Sequence, residues 1–252
     1  MRSDALQIDR FYQTDQGIAA RAMILRRLNA LWPNLRDKDV LGIGYSPPLL
    51  RALVATARRC LAFMPADQGA VRWPAEEASK TVLGDELHLP FPEAMFDRIL
   101  LIHALEDSPS PAHLIREIWR VLAPQGRLVL IVPNRSGLWA RVESTPLGHG
   151  RPFSRRQLAQ LLGDAALAPT AWTRALYAPP WKWACEENRA LGWEEAGEKF
   201  WPHLGGLIMV EAVKNTGALT PRRARPVRVR LPHLEGSPAP ALSPLQTNAK
   251  DN

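Results

Sequence analysis

The sequence predicts an α/β fold in which a parallel sheet is covered by helices on both sides. Strand-length apolar runs alternate with amphipathic stretches, most of the runs are apolar on both faces, and the first run ends in a glycine turn that opens a helix. At 252 residues the chain suits one large α/β domain with additions. A hydrophobic share of 46% and a charged share of 23% exclude wholesale disorder.

Taken in order, residues 17–31 read as an amphipathic helix ahead of the first strand. Asp39-Val40-Leu41-Gly42-Ile43-Gly44-Tyr45 is a buried strand running into a turn. Ser46 is expected to cap the next helix, whose first positions are Pro47 and Pro48, and Leu49, Leu50, Leu53 and Val54 form its apolar face. Residues 60–64 are a second strand halted by Pro65, and residues 81–83 a short third. Residues 96–102 are a fourth strand. Residues 113–122 form a helix ended by Pro124-Gln125-Gly126, and residues 127–132 a fifth strand. Residues 155–162 read as a helix, and residues 170–177 and 206–213 as the last two strands. Internal repeats are absent.

Charge and proline depart from the average. The net charge is +7 and there are 23 prolines. Both excesses are partly local: from residue 215 onward Arg222, Arg223, Arg225, Arg228, Arg230 and Lys250 face only Glu235 and Asp251, and six prolines interrupt any periodicity. This tail reads as disordered. It is either an electrostatic dock for RNA, an acidic protein or anionic lipid, or a solvated extension that keeps the chain soluble. A nucleic-acid binder usually carries its basic face on the folded part; this chain carries a basic tail instead. No apolar run approaches the roughly 18 residues of a membrane span, and Met1-Arg2-Ser3-Asp4 opens no secretion signal. Cys60 and Cys185 make neither a disulfide framework nor a zinc site, so no metal is expected and a reducing cytoplasm is the default.

In such sheets ligands gather at the carboxyl ends of the strands, near the point where strand order reverses. The residues in question are 42–46, 64–67, 85–87, 103–107 and 134–137. Gly42 and Gly44 let the backbone approach a ligand closely, with Tyr45 and Ser46 beside them. No Gly-Lys-Ser/Thr follows, and Pro47-Pro48 removes two N–H donors, which argues against a phosphate cradle in this turn.

A longer pattern is more specific. Leu83-Gly84-Asp85-Glu86-Leu87-His88-Leu89-Pro90-Phe91 leads to Phe96-Asp97, then to Arg116-Glu117-Ile118-Trp119-Arg120-Val121-Leu122-Ala123-Pro124-Gln125-Gly126 and Val132-Pro133-Asn134. This arrangement resembles the class I S-adenosylmethionine-dependent methyltransferases of the type 11 kind, with a degenerate first glycine motif. The likeness runs from about residue 39 to 134 and more loosely, through Phe153-Ser154 and Leu158, to residue 213. It implies a doubly wound, mostly parallel seven-stranded sheet with a C-terminal antiparallel strand, the Rossmann-like methyltransferase fold. The expected division is a helical segment over 1–38, a methyltransferase-like domain over 39–214 with an insertion at 178–204, and the tail over 215–252.

The resemblance implies S-adenosyl-L-methionine as cofactor, held by Gly42, Gly44, Tyr45, Ser46, Met64, Asp85, Glu86 and His103. Asp85 would accept from the adenine amino group, or it is a turn aspartate. The acid that takes the ribose hydroxyls should fall near Met64, where the chain has no carboxylate before Asp67. His103 closes the fourth strand and is the candidate general base, or else a core histidine. Glu106 and Asp107 follow it and either assist or cap the next helix. Tyr12, His149 and Arg151 are the candidate contacts to a small-molecule or macromolecular methyl acceptor. The insertion holds Trp181, Trp183, Trp193 and Trp201, which line an apolar cleft or partner surface, or pack a small local core. The rival to the enzyme is a non-catalytic interaction module working through the tail and this insertion. A nicotinamide dehydrogenase lacks both its ribose acid and its pyrophosphate turn here. A monomer or homodimer is expected.

Overall fold

The computed structural model describes residues 3–215. The basic tail, and with it the expectation of disorder, lies outside the described residues. The sheet has seven strands in the order β3-β2-β1-β4-β5-β7-β6. They are β1 (Asp39–Ile43), β2 (Arg59–Pro65), β3 (Thr81–Gly84), β4 (Phe96–Leu101), β5 (Leu122–Pro133), β6 (Leu167–Ala175) and β7 (Leu207–Lys214). β1 to β5 are parallel, while β7 runs antiparallel to both β5 and β6. Strand order reverses between β1 and β4, so the crevice expected of a doubly wound sheet opens where their carboxyl ends part.

Six helices accompany the sheet among the described residues: α1 (Ala5–Gln13), α2 (Asp15–Leu31), α3 (Pro47–Leu53), α4 (Pro111–Val121), α5 (Arg155–Asp164) and α6 (Glu187–Phe200). The period-two alternation of the strands sorts their side chains into two cores. Val40, Ala62, Met64, Leu100, Ile102 and Met209 face α1, α2, α3 and α6. Leu41, Ile43, Phe63, Ile99, Leu101 and Val210 face α4 and α5.

The structure departs from the sequence reading, or adds to it, at four places. α1 precedes the expected first helix: Ile8, Phe11 and Tyr12 are buried on one side of it, and Asp4 caps it by accepting from the Leu6 N–H. Its two turns are too short to stand out from the polar residues around them. Between β2 and β3 the chain makes one 3-10 turn at Ala66–Gln68 and then runs irregularly to residue 80. Leu122 leaves α4 and enters β5 directly, pairing with Phe96, so Pro124-Gln125-Gly126 lies inside an irregular strand rather than in a loop. The Ser46 hydroxyl does not cap α3. Pro47 and Pro48 supply no N–H for it to accept, and the Leu49 N–H is taken by the Ser46 carbonyl.

The tryptophan-bearing insertion does not build a core of its own. Cys185 and Ala190 join the main core, with Trp193 packed against it. Glu194 accepts from the Tyr177 N–H, and Glu198 pairs with Arg27 of α2 at 2.8 Å. α2 presents a face next to the insertion, which gives its helix somewhere to bury apolar area. Trp181 and Trp183 stack on each other and stay half exposed.

Candidate functional site

The site grows from the end of β1. Gly44 turns the chain at φ +78°, and a Cβ there would lie 2.1 Å from the Ile102 carbonyl oxygen, so only glycine lets the turn sit this close to β4. Gly42 lies inside β1, paired with Ala62 and Leu100. The space above it is filled by the Ser46 hydroxyl and Leu50, so Gly42 admits α3 to the sheet and does not itself face the crevice.

Four segments meet over this turn. Tyr45 is buried, and its hydroxyl donates to Asp9 of α1 at 2.5 Å. Tyr12, one turn further along α1, is hydrogen-bonded to His103 Nε2 at 2.9 Å. Gln68, just past β2, donates through Nε2 to the His103 carbonyl at 2.7 Å. Met64 is fully buried and its sulfur accepts from the Val71 N–H. The sequence-predicted Tyr12, Gly44, Tyr45, Met64 and His103 are thus brought together, with α1 laid across them as a roof.

Burial governs the electrostatics here. His103 is 2% exposed, and desolvation pushes its pKa from 6.5 down to about 3, outweighing the Glu106 carboxylate 3.8 Å from Nδ1. The ring is therefore neutral at pH 7: a hydrogen-bond partner, and a weak base. Desolvation likewise raises the Tyr12 and Tyr45 hydroxyls well above the usual phenol range. Glu106 is buried beside His103, and its carbonyl accepts from the Arg151 N–H at 2.9 Å. Gly150 packs onto Glu106 and Asp107. The 149–151 loop is in this way tied to the end of β4, while the side chains of His149 and Arg151 remain exposed.

Asp85 follows β3 at the outer edge of the site and is exposed. Its carboxylate accepts from the Leu87 N–H at 2.8 Å and meets His88 Nδ1 at 2.7 Å; His88 holds its pKa below the ordinary aspartate value. In this structure it closes a turn. Its neighbour Glu86 is buried. The segment that carries both is fixed by α4. Arg120 donates to the Leu89 and Phe91 carbonyls and to Glu117, and Glu117 accepts from the Leu89 N–H. The Arg-Glu-x-x-Arg and Leu-Pro-Phe stretches are therefore two halves of one clamp.

Sequence reasoning missed Asp9 and Gln68. The position of Gln68, four residues after Met64 and just beyond a strand end, is the signal that would have found it. Asp67, the acid considered for the ribose, points to solvent. Gln68 Oε1 is buried and has no hydrogen-bond partner among the described residues. On the far side of α1 a cleft of about 600 Å3 is lined by Arg10, Gln13, Glu143, Thr145 and His149. Among the described residues no group of three or more His, Cys, Asp or Glu could hold a metal ion. No helix there is long and apolar enough to cross a membrane.

Comparison with known proteins agrees with this geometry. Residues 28–130, from α2 into β5, match the family model described as a methyltransferase domain. The 27-O-demethylrifamycin SV methyltransferase of Amycolatopsis mediterranei is 33% identical over 120 residues, 42% of this chain and 43% of that one. A Mycobacterium tuberculosis protein described as a probable S-adenosylmethionine-dependent methyltransferase is 28% identical over 156 residues, 59% of this chain and 56% of its own. The chain thus spans about half the length of these curated relatives. Among solved structures, a SAM-dependent methyltransferase from Thermotoga maritima superposes with a TM-score of 0.57 at 16% identity, over 82% of this chain and 94% of that one, which shows the shared fold. With the strand order and the glycine turn at the switch point, these matches show that residues 28–130 are similar to the methyltransferase-domain family and that the chain shares the fold of a SAM-dependent methyltransferase.

Proposed function

We propose that the chain binds S-adenosylmethionine at the carboxyl ends of β1, β2, β3 and β4 and transfers its methyl group to a small-molecule or macromolecular acceptor. The observation that carries this reading is the family match over β1 to β5, coinciding with a glycine turn at the point where strand order reverses. The fit of the cofactor rests on Gln68. A buried acceptor without a partner, set at the end of β2, offers a ribose hydroxyl the hydrogen bond that a carboxylate would otherwise supply. The turn of Gly44, Tyr45 and Ser46 would hold the aminoacyl end, with Asp85 and Glu86 toward the base.

When bound, the cofactor supplies an electrophilic methyl on a positive sulfur. The chain's own residues align and desolvate. α1, latched by Tyr12 to His103 and by Asp9 to Tyr45, excludes water from the strand ends and must lift for ligands to enter. A neutral His103 adds no positive charge beside a sulfonium. A base with a pKa of about 3 removes protons poorly at pH 7, so the site suits acceptors that arrive with a free lone pair. The cleft carrying His149 and Arg10 adjoins α1 and is the candidate acceptor side. Two buried free thiols fit a reducing cytoplasm, and the basic tail would dock an acidic partner or RNA.

Calorimetry with S-adenosylhomocysteine tests the reading. Micromolar or tighter binding, weakened by Gln68→Leu by roughly tenfold, is expected. No heat and no thermal shift at millimolar ligand overturns it.

A further inference from the structure

A second concavity opens between α1, α2, α3 and the segment that follows β2. It encloses about 290 Å3, and Arg21, Arg51 and Arg72 line it together with Tyr12, Tyr45 and Trp73. Arg21 comes from α2, Arg51 from α3 and Arg72 from the irregular stretch after β2, so tertiary folding alone brings the three guanidinium groups to one volume. Asp9 is the one carboxylate in this lining, and its two oxygens already accept from Tyr45 and Gln13.

The cations are not spoken for. Arg21 and Arg51 make no hydrogen bond or ion pair among the described residues, and Arg72 donates to the Glu77 backbone carbonyl alone. Three positive charges against one committed carboxylate leave a pocket whose field attracts anions and repels a sulfonium, so it is not a second seat for the cofactor. Guanidinium forks match phosphate oxygens two at a time, which a single carboxylate cannot satisfy for three arginines. Trp73 is buried in the wall and Val71 lies beside it, giving an apolar surface next to the charge. The volume is at the small end for an organic ligand.

We propose that this pocket binds a small phosphate monoester, its phosphate held by Arg21, Arg51 and Arg72 and its organic part against Trp73. The pocket shares Tyr12 and Tyr45 with the strand-end crevice, but Gly44, Met64, Gln68 and His103 are not in its lining, and its three arginines are not among the residues assigned to the cofactor. Binding here is independent of whether the chain transfers methyl groups.

Calorimetry on the full chain, with phenyl phosphate, inorganic phosphate and benzoate as separate titrants, tests it. Phenyl phosphate is expected to bind several-fold tighter than inorganic phosphate, and benzoate weakest. The Arg21→Met/Arg51→Met double variant should weaken phenyl phosphate by ten- to a hundredfold. Arg116→Met, an exposed arginine of α4 on the opposite face, makes the control for net charge and should bind as the parent does. If the double variant melts early, Arg51→Met alone carries the test, because Arg51 is exposed and unbonded. No heat with phenyl phosphate at millimolar concentration, or parental affinity in the arginine variants, overturns the site. Equal affinity for phenyl and inorganic phosphate overturns the ester assignment, and tighter benzoate binding overturns the phosphate assignment.

Discussion

His103 makes stability depend on pH in a way that can be worked from its surroundings. Unfolded, the imidazole takes a proton near pH 6.5; folded, it does so near 3, because it is 2% exposed and burial penalises the charged ring. The unfolded chain therefore binds the extra proton between those values. Stability is intact above about pH 6.5 and falls as the pH drops toward 3, by about 1.4 kcal/mol per unit. From pH 6.5 to 5 this residue alone costs about 2 kcal/mol. Urea unfolding at several pH values, on the parent and on His103→Gln, measures it. Glutamine keeps a partner for Tyr12 and cannot titrate, so its stability should decline less over that interval, by about 2 kcal/mol. Parallel curves for the two proteins would refute the assignment of a buried neutral histidine.

The clamp and the turn yield two further expectations. Arg120→Met removes the bonds to the Leu89 and Phe91 carbonyls and strands Glu117, and should cost about 2–4 kcal/mol in urea unfolding. S-adenosylhomocysteine affinity should fall with it, since the clamp carries Asp85 and Glu86; a loss under 1 kcal/mol would show that the clamp is decorative. Gly44→Ala forces a Cβ onto the Ile102 carbonyl at positive φ, and should destabilise by at least about 3 kcal/mol, read as a lowered melting temperature.

The central strands β1, β4 and β7 were legible because most of their side chains are apolar and buried, and a run buried on both faces announces itself without knowledge of its neighbours. β4 and β7 are read within a residue or so at each end. α1 was not legible. Its burial depends on an accident of placement, the carboxyl ends of β1 and β4 lying beneath Ile8, Phe11 and Tyr12, and nine residues give too little periodicity to show that alone. Gly42 was misread for a related reason: a glycine beside a turn is equally apt for ligand approach and for helix packing, and only the positions of Ser46 and Leu50 distinguish the two. The Arg-Glu-x-x-Arg stretch was legible as a pattern but not as a clamp, because nothing local reveals that Arg120 reaches the Leu89 and Phe91 carbonyls.

By itself the sequence determined the class of fold, the succession of its strands and the strand ends where chemistry must sit, since these follow from local apolar patterning and from the chirality of crossovers between parallel strands. Tertiary structure decided what those ends contain. Tyr12 and His103 stand 91 positions apart, Gln68 and His103 35 apart, and the three arginines of the second pocket come from three different segments. Desolvation, which turns His103 into a neutral partner and leaves a Gln68 oxygen waiting for a donor, is a property of how closely those segments pack. A list of residues carries no packing density; a fold does.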